Sequence, residues 1–169
     1  CGGVDVLEGA GGNDTLSDLE GRSMLSGGAG ADTLQAGAGN DLLVGGRGND
    51  TLNTGSGADV ILLNRGDGQD TVVSSIGQDN TVSLGGGILL SSLQFRRSGT
   101  NLILATGGTD QITFSGYYGS TATRSIDRLQ VVVEGSTDYL PGSTDALRNR
   151  RIETFDFEVP QHRFRAQER

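Results

Sequence analysis

Lysine and tryptophan are absent from this chain of 169 residues, which holds one Cys, one His and two Pro. A single Cys, at position 1, cannot close an internal disulfide, and no Cys/His cluster offers Zn²⁺ a home. Two Pro exclude a collagen-like or polyproline chain. No apolar run approaches the roughly 20 residues that a membrane span needs. The first residues show no basic, apolar and small-residue succession, so no signal peptide is expected in them. All thirteen cations are Arg, and the net charge of −8 disfavours nucleic acid, whose phosphates attract basic surfaces. The lone His162 lies in an Arg-rich tail and reads as solvated rather than as a catalytic base.

Glycine is what the chain has in excess: 29 residues, about one in six. Apolar residues make up 34% and aromatics 5%, lean for a globular core. Leu, Ile, Val and Phe together still exceed the roughly 20% below which disorder is favoured. The two halves differ. Residues 1–87 hold 22 Gly, twelve acids and three Arg, whereas residues 88–169 hold seven Gly, nine acids and ten Arg. Any cation binding therefore belongs to the first half.

The first half repeats with a period of nine. Asp5, Asp14, Asp32, Asp41, Asp50 and Asp59 lie nine or eighteen apart, with Ser23 at the empty step. An aliphatic follows two residues later each time (Leu7, Leu16, Leu25, Leu34, Leu43, Leu52, Ile61), and a Gly precedes by two (Gly3, Gly12, Gly21, Gly30, Gly39, Gly48, Gly57). The next match, Asp70 with Val72, comes after a gap of eleven; Asp79 follows, but Thr81 replaces the aliphatic and the repeat is read as decaying.

Each unit is six turn-forming residues and a strand of three. Glycine lets the turn take positive φ, and alternation along the strand points its one aliphatic inward. A strand of three cannot bury its Leu alone. Stacking coils at ~4.8 Å supplies hydrogen-bonded neighbours and a column for each Leu to pack in. Nine residues per half-coil place successive strands on opposite sheets.

The same stacking sets Asp over Asp. Asp14, Asp32 and Asp50 form one column; Asp5, Ser23, Asp41 and Asp59 form the other. Carboxylates ~5 Å apart repel by about 3 kcal/mol at an effective dielectric near 20, so a cation is required between them. Carboxylates plus free backbone carbonyls are hard oxygen ligands, and several in a flexible loop favour Ca²⁺ over Mg²⁺. An EF-hand is excluded, because no D-x-[DN]-x-[DN]-G run with Glu at the twelfth position exists. The G-x-G pairs are not dinucleotide loops, since an Asp follows each within two residues. A disordered linker would not keep an aliphatic in phase, and a metal-free solenoid leaves the Asp columns uncompensated.

The unit Gly45-Gly46-Arg47-Gly48-Asn49-Asp50-Thr51-Leu52-Asn53 resembles the G-G-x-G-x-D-x-U-x nonapeptide of RTX (repeats-in-toxin) proteins. Gly27–Gln35 and Ala36–Val44 resemble it nearly as well, and 63–72 looks like the last repeats of such arrays. Residues 88–134 resemble, more weakly, the β-rich segment that flanks them. The resemblance implies a parallel β-roll that folds on meeting extracellular Ca²⁺, in a protein leaving a Gram-negative bacterium by type I secretion. It also implies three Ca²⁺ sites. One uses Gly9, Gly11 and Asp14 with Gly28, Gly30 and Asp32. A second uses Gly27, Ala29 and Asp32 with Gly46, Gly48 and Asp50. The third uses Ala36, Ala38 and Asp41 with Gly55, Gly57 and Asp59. Asp50 with Asp70, and Asp59 with Asp79, make a fourth and a fifth, for three to five ions. The unit 18–26 departs: Asp18-Leu19 replaces the leading Gly pair, and Ser23 replaces the ligand Asp.

The expected fold is therefore all-β: a right-handed parallel β-roll over 1–87, a small antiparallel β capping unit over 88–140, and a helix or linker tail over 141–169, with Ala146, Ile152 and Phe155 as docking residues. The expected function is a Ca²⁺-binding module, not an enzyme, that supports secretion and extracellular folding of a larger protein. The alternative is an adhesin or biofilm segment whose cap binds carbohydrate or a surface. Tyr117 and Tyr118 are the candidate sugar-stacking residues, although sealing the open end of the roll is favoured for them. The Arg-rich C-terminus does not resemble a type I export signal, and the chain is expected to be part of something longer.

Overall fold

A computed structural model of the chain describes residues 2–73, 79–85, 87–119, 125–133 and 151–156. The elements are β1 (Val4–Glu8), β2 (Thr15–Glu20), β3 (Arg22–Ala29), β4 (Thr33–Ala38), β5 (Leu42–Arg47), β6 (Thr51–Asn53) and β7 (Val60–Leu63), then β8 (Gln69–Val72), β9 (Thr81–Leu84), β10 (Gln94–Ser98), β11 (Asn101–Gly107), β12 (Asp110–Phe114), β13 (Arg128–Val133) and β14 (Arg151–Asp156). Among the described residues the only helical turn is a 3₁₀ turn at Leu90–Ser92.

Two seven-stranded sheets result. One runs β1-β3-β5-β7-β9-β13-β14 and the other β2-β4-β6-β8-β12-β11-β10. Strands β1 to β9 alternate between the sheets, and every pairing among them is parallel, giving a β-solenoid of about four turns.

Registration is set by the aliphatic at the centre of each short strand. Leu7, Leu25, Leu43, Ile61, Val82 and Leu129 face one another in sequence down the first sheet. Leu16, Leu34, Leu52, Val72, Phe114 and Leu102 do so in the second. From Leu25 and Leu34 onward these side chains are buried, and both ladders belong to one core. A slip of one residue would turn each ladder to solvent, which is why the register holds. The β-branched Thr15, Thr33, Thr51 and Thr71 stand in register on the opposite face of their strands, where χ1-restricted side chains suit a pleated surface.

Two expectations are revised, and the antiparallel unit expected after the roll is found joined to it through parallel pairings. The repeat does not end at Asp70. Thr81 pairs with Val60 and Val82 with Ile61, so Asn80-Thr81-Val82 takes the place of Asp59-Val60-Ile61 one coil on. Next, the segment after the roll is antiparallel only within itself. β10, β11 and β12 form an antiparallel meander and β13 pairs antiparallel with β14, but β12 joins β8 and β13 joins β9 in parallel. Both sheets thus run through residue 87 without a break in hydrogen bonding. Finally, residues 151–156, read above within a helix or tail, form strand β14. Ile152 sits opposite Val132 and Phe155 opposite Leu129. An open β13 edge offers unpaired main-chain groups, and a segment rich in Ile, Thr and Phe satisfies them better than a helix would. Ala146 lies outside the described residues.

Candidate metal centre

The turns between strands bring the repeat's acids to two edges of the solenoid. Numbering each unit from its leading Gly, step four is Gly because its φ is positive and because the coils stack through it. At Gly48 φ is 146°, and a Cβ there would run into the carbonyl oxygen of Gly30 one coil below. Step six is the Asp.

The step-six residues form two hydrogen-bonded columns. On one edge the Asp14 N–H donates to Asp32 Oδ1 (2.8 Å), the Asp32 N–H to Asp50 Oδ1 (2.8 Å) and the Asp50 N–H to Asp70 Oδ1 (3.0 Å). On the other, the Ser23 N–H donates to Asp41 Oδ1 (2.7 Å), the Asp41 N–H to Asp59 Oδ1 (2.9 Å) and the Asp59 N–H to Asn80 Oδ1 (2.8 Å). Asp32, Asp41, Asp50, Asp59 and Asp70 therefore each spend one oxygen on the main chain of the coil before them. The second oxygen, Oδ2, of Asp14, Asp32, Asp41 and Asp50 is buried and has no hydrogen-bond partner. Asp32, Asp41 and Asp50 are only 2%, 3% and 2% exposed. Leaving a carboxylate oxygen buried and unpaired is costly, so each column is a row of acceptors lacking a donor or a cation.

Beside Asp14, Asp32 and Asp50 the space is kept open by glycine. A Cβ on Gly9 would lie 2.7 Å from Asp14 Oδ2, and one on Gly27 or Gly45 would collide with Oδ2 of Asp32 or Asp50. Among the described residues, no group of three or more Asp, Glu, His or Cys side chains gathers to hold a metal. The stacked turns at Asp14–Asp32, Asp32–Asp50, Asp50–Asp70 and Asp41–Asp59 instead offer two carboxylates each, and a hard cation there would complete its shell with main-chain carbonyls. That donor set, oxygen only and partly main chain, suits Ca²⁺.

Burial shows in the acidities. It pushes Asp59 up from 3.8 to about 6 and Asp70 to about 7. At Asp70 the main-chain hydrogen bond with Asp50 opposes the shift, while the charges of Asp50, Asp67 and Asp110 add to it. At Asp59 the Asp41 main-chain bond opposes, the Asp41 charge adds, and the Thr54 hydroxyl offsets part of the shift. Burial likewise raises Asp50 and Asp67.

Of the expected ligand residues, the Asp column positions fall as spaced, with one exception. Asp79 is not in the column. Its side chain is 64% exposed and pairs with Arg128 (3.3 Å), and its φ of 65° turns it outward. Asn80 takes the step instead, and its Nδ2 donates to Thr54 Oγ1 (3.3 Å) and to the Ser125 carbonyl (3.1 Å). The extra residue before it displaces the frame by one; the triplet Asn80-Thr81-Val82, read as a variant of Asp-Thr-Leu, carried that signal. Asp70 keeps its column despite the two-residue insertion. The insertion bulges as the loop 64–68, where Asp67 Oδ2 accepts the Asn64 N–H (2.6 Å) and Asp110 Oδ2 the Gly66 N–H (2.7 Å).

The step-five Asn residues have a role that the spacing did not reveal. Oδ1 of Asn13, Asn40 and Asn49 accepts the N–H of Ala31, Ala58 and Gln69 from the next coil (2.9, 3.1 and 3.0 Å), pinning the turns together. Tyr117 is 1% exposed and part of the core. Tyr118 packs edge-on against it at 5.1 Å, and the Arg97 guanidinium lies 4.5 Å over the Tyr118 ring.

Among the described residues no helix is long and apolar enough to cross a membrane. No curated protein matches the chain. The family model of the RTX calcium-binding nonapeptide repeat matches residues 2–22 and 25–61, in four copies. That family is described as a calcium-binding repeat. With their stacked parallel strands and carboxylate columns, residues 2–22 and 25–61 are similar to the RTX calcium-binding nonapeptide repeat.

Proposed function

We propose that the two Asp columns hold Ca²⁺ in rows along the edges of the roll, and that this binding switches folding on outside the cell. The observation that carries the reading is the set of buried, unpartnered Oδ2 atoms stacked one coil apart at Asp14, Asp32, Asp41 and Asp50. The ligand sets are Gly9, Gly11 and Asp14 with Gly28, Gly30 and Asp32; Gly27, Ala29 and Asp32 with Gly46, Gly48 and Asp50; and Ala36, Ala38 and Asp41 with Gly55, Gly57 and Asp59. The Asp50–Asp70 hydrogen bond across the insertion supports a fourth. When bound, the cation supplies the positive charge that lets neighbouring carboxylates stay ionised and close.

Sites with Kd near ~10⁻⁴ M, typical of extracellular modules, each add about 1.4 kcal/mol at millimolar Ca²⁺ and almost nothing at micromolar Ca²⁺. Four such sites give about 6 kcal/mol, comparable with the net stability of a whole domain. The chain would thus remain unfolded inside a Gram-negative cell, pass a type I exporter, and fold outside as part of a larger secreted protein. Far-UV circular dichroism during a Ca²⁺ titration, with Mg²⁺ as control, tests this. A cooperative coil-to-β transition that Mg²⁺ does not produce is the expected result. A β-rich spectrum in excess chelator would overturn the switch.

A further inference from the structure

Unit 18–26 breaks the repeat twice, at step one and at step six of the same turn. Step one, Gly in the units at 9, 27 and 45 and Ala36 and Thr54 in the two units that follow on the same edge, is Asp18; step six, Asp in those five units, is Ser23. Steps one and six of a turn share one space. A Cβ on Gly9, Gly27 or Gly45 would meet Oδ2 of Asp14, Asp32 or Asp50, and Thr54, at step one of its own unit, reaches the Asp59 carboxylate. Two full-sized acidic side chains do not fit there. Unit 18–26 exchanges the occupants instead: the carboxylate stands on step one, and the short Ser side chain on step six leaves it room.

The polar atoms agree with this exchange. Asp18 Oδ1 accepts one long hydrogen bond, from the Glu20 N–H at 3.3 Å, and Asp18 Oδ2 is buried with no partner. One coil on, Asp41 is 3% exposed. Its Oδ1 accepts both the Ser23 N–H (2.7 Å) and the Ser23 hydroxyl (2.9 Å), while its Oδ2 is buried and unpartnered. Strand register holds the two turns together, with Asp18 opposite Ala36. Ser23 alone would leave one carboxylate between these turns; Asp18 brings the number to two, as in the Asp14–Asp32 pair.

We propose that Asp18 replaces the missing step-six carboxylate, so that the turns 18–23 and 36–41 form a further Ca²⁺ site with Asp18 and Asp41 as its acidic ligands. This rests on the reading that the regular turns bind Ca²⁺. The row on this edge then begins one coil earlier than its step-six residues indicate.

The test is Ca²⁺ stoichiometry of the full chain by isothermal titration calorimetry, with circular dichroism to follow folding. Asp18→Ala is expected to bind one ion fewer than the parent chain while the remaining sites fill. Asp18→Gly combined with Ser23→Asp, which rebuilds the regular unit, is expected to regain that ion. Unchanged stoichiometry in Asp18→Ala overturns the proposal and leaves the regular sites standing; absence of Ca²⁺ binding by the parent chain overturns both. If Asp18→Ala does not fold in Ca²⁺, the double variant decides: parental stoichiometry supports the exchange, and one ion more than the parent chain overturns it, because the rebuilt unit would then have added a site that Asp18 did not supply.

Discussion

The Asp59 N–H donates to Asn80 Oδ1 at 2.8 Å, across 21 residues. This one bond closes the second column with an amide where the spacing had put Asp79. An amide keeps the acceptor that Asp59 needs but brings no negative charge, and its Nδ2 adds two donations that a carboxylate could not make.

Replacing Asn80 by Asp should therefore cost less as Ca²⁺ rises. At limiting Ca²⁺, Asn80→Asp should lower stability by about 1–3 kcal/mol, since two donations are lost and a buried charge is added beside Asp59. In Ca²⁺ the added carboxylate should recover part of the loss. Asp79→Ala, which removes only an exposed ion pair, should cost less than about 1 kcal/mol and leave Ca²⁺ stoichiometry unchanged. Thermal melts of both variants, at limiting and at saturating Ca²⁺, check this.

Asp32 lies in the middle of its column, accepting from Asp14 and donating to Asp50. Asp32→Ala should remove a carboxylate from two neighbouring sites and lower the Ca²⁺ stoichiometry by up to two ions. Asp14→Ala, at the end of the described column, should lower it by one. Calorimetry separates the two outcomes, and equal losses would show that the register of ligand pairs is wrong.

Acidity should control metal affinity. Asp59 and Asp70 titrate near 3.8 when unfolded, but near about 6 and about 7 in the metal-free roll. The folded state then binds more protons than the unfolded chain between pH 3.8 and about 6–7, so metal-free stability falls as pH rises through that window. Ca²⁺ must displace those protons, so its affinity rises over the same window. Titrations at pH 5 and pH 8 should show a higher Ca²⁺ midpoint at the lower pH, with protons released on binding.

Gly48 and Gly12 both hold positive φ, 146° and 110°, but only Gly48 has a neighbouring carbonyl where a Cβ would go. Gly12→Ala should cost about 1–3 kcal/mol for the backbone conformation alone. Gly48→Ala should cost more, because the coils must separate to relieve the clash. A melting temperature for Gly48→Ala no lower than for Gly12→Ala would contradict stacking through step four.

Period nine, an aliphatic at one phase and Asp at another, determined the solenoid, its two sheets, the Leu ladders and the Asp columns through Asp59, because each depends only on spacing along a regular coil. Spacing could not place what irregular segments do. The extra residue before Asn80, the loop closed by Asp67 and Asp110, and the exchange at Asp18 and Ser23 depend on which atoms meet across coils. The fate of 151–156 was also decided in three dimensions: Ile152 and Phe155 fit a helix face or a strand equally well until the open edge of β13 needed a partner. Local sequence determines the repeating unit; the ends and interruptions of the array are settled by which main-chain groups and carboxylates would otherwise be left unpaired.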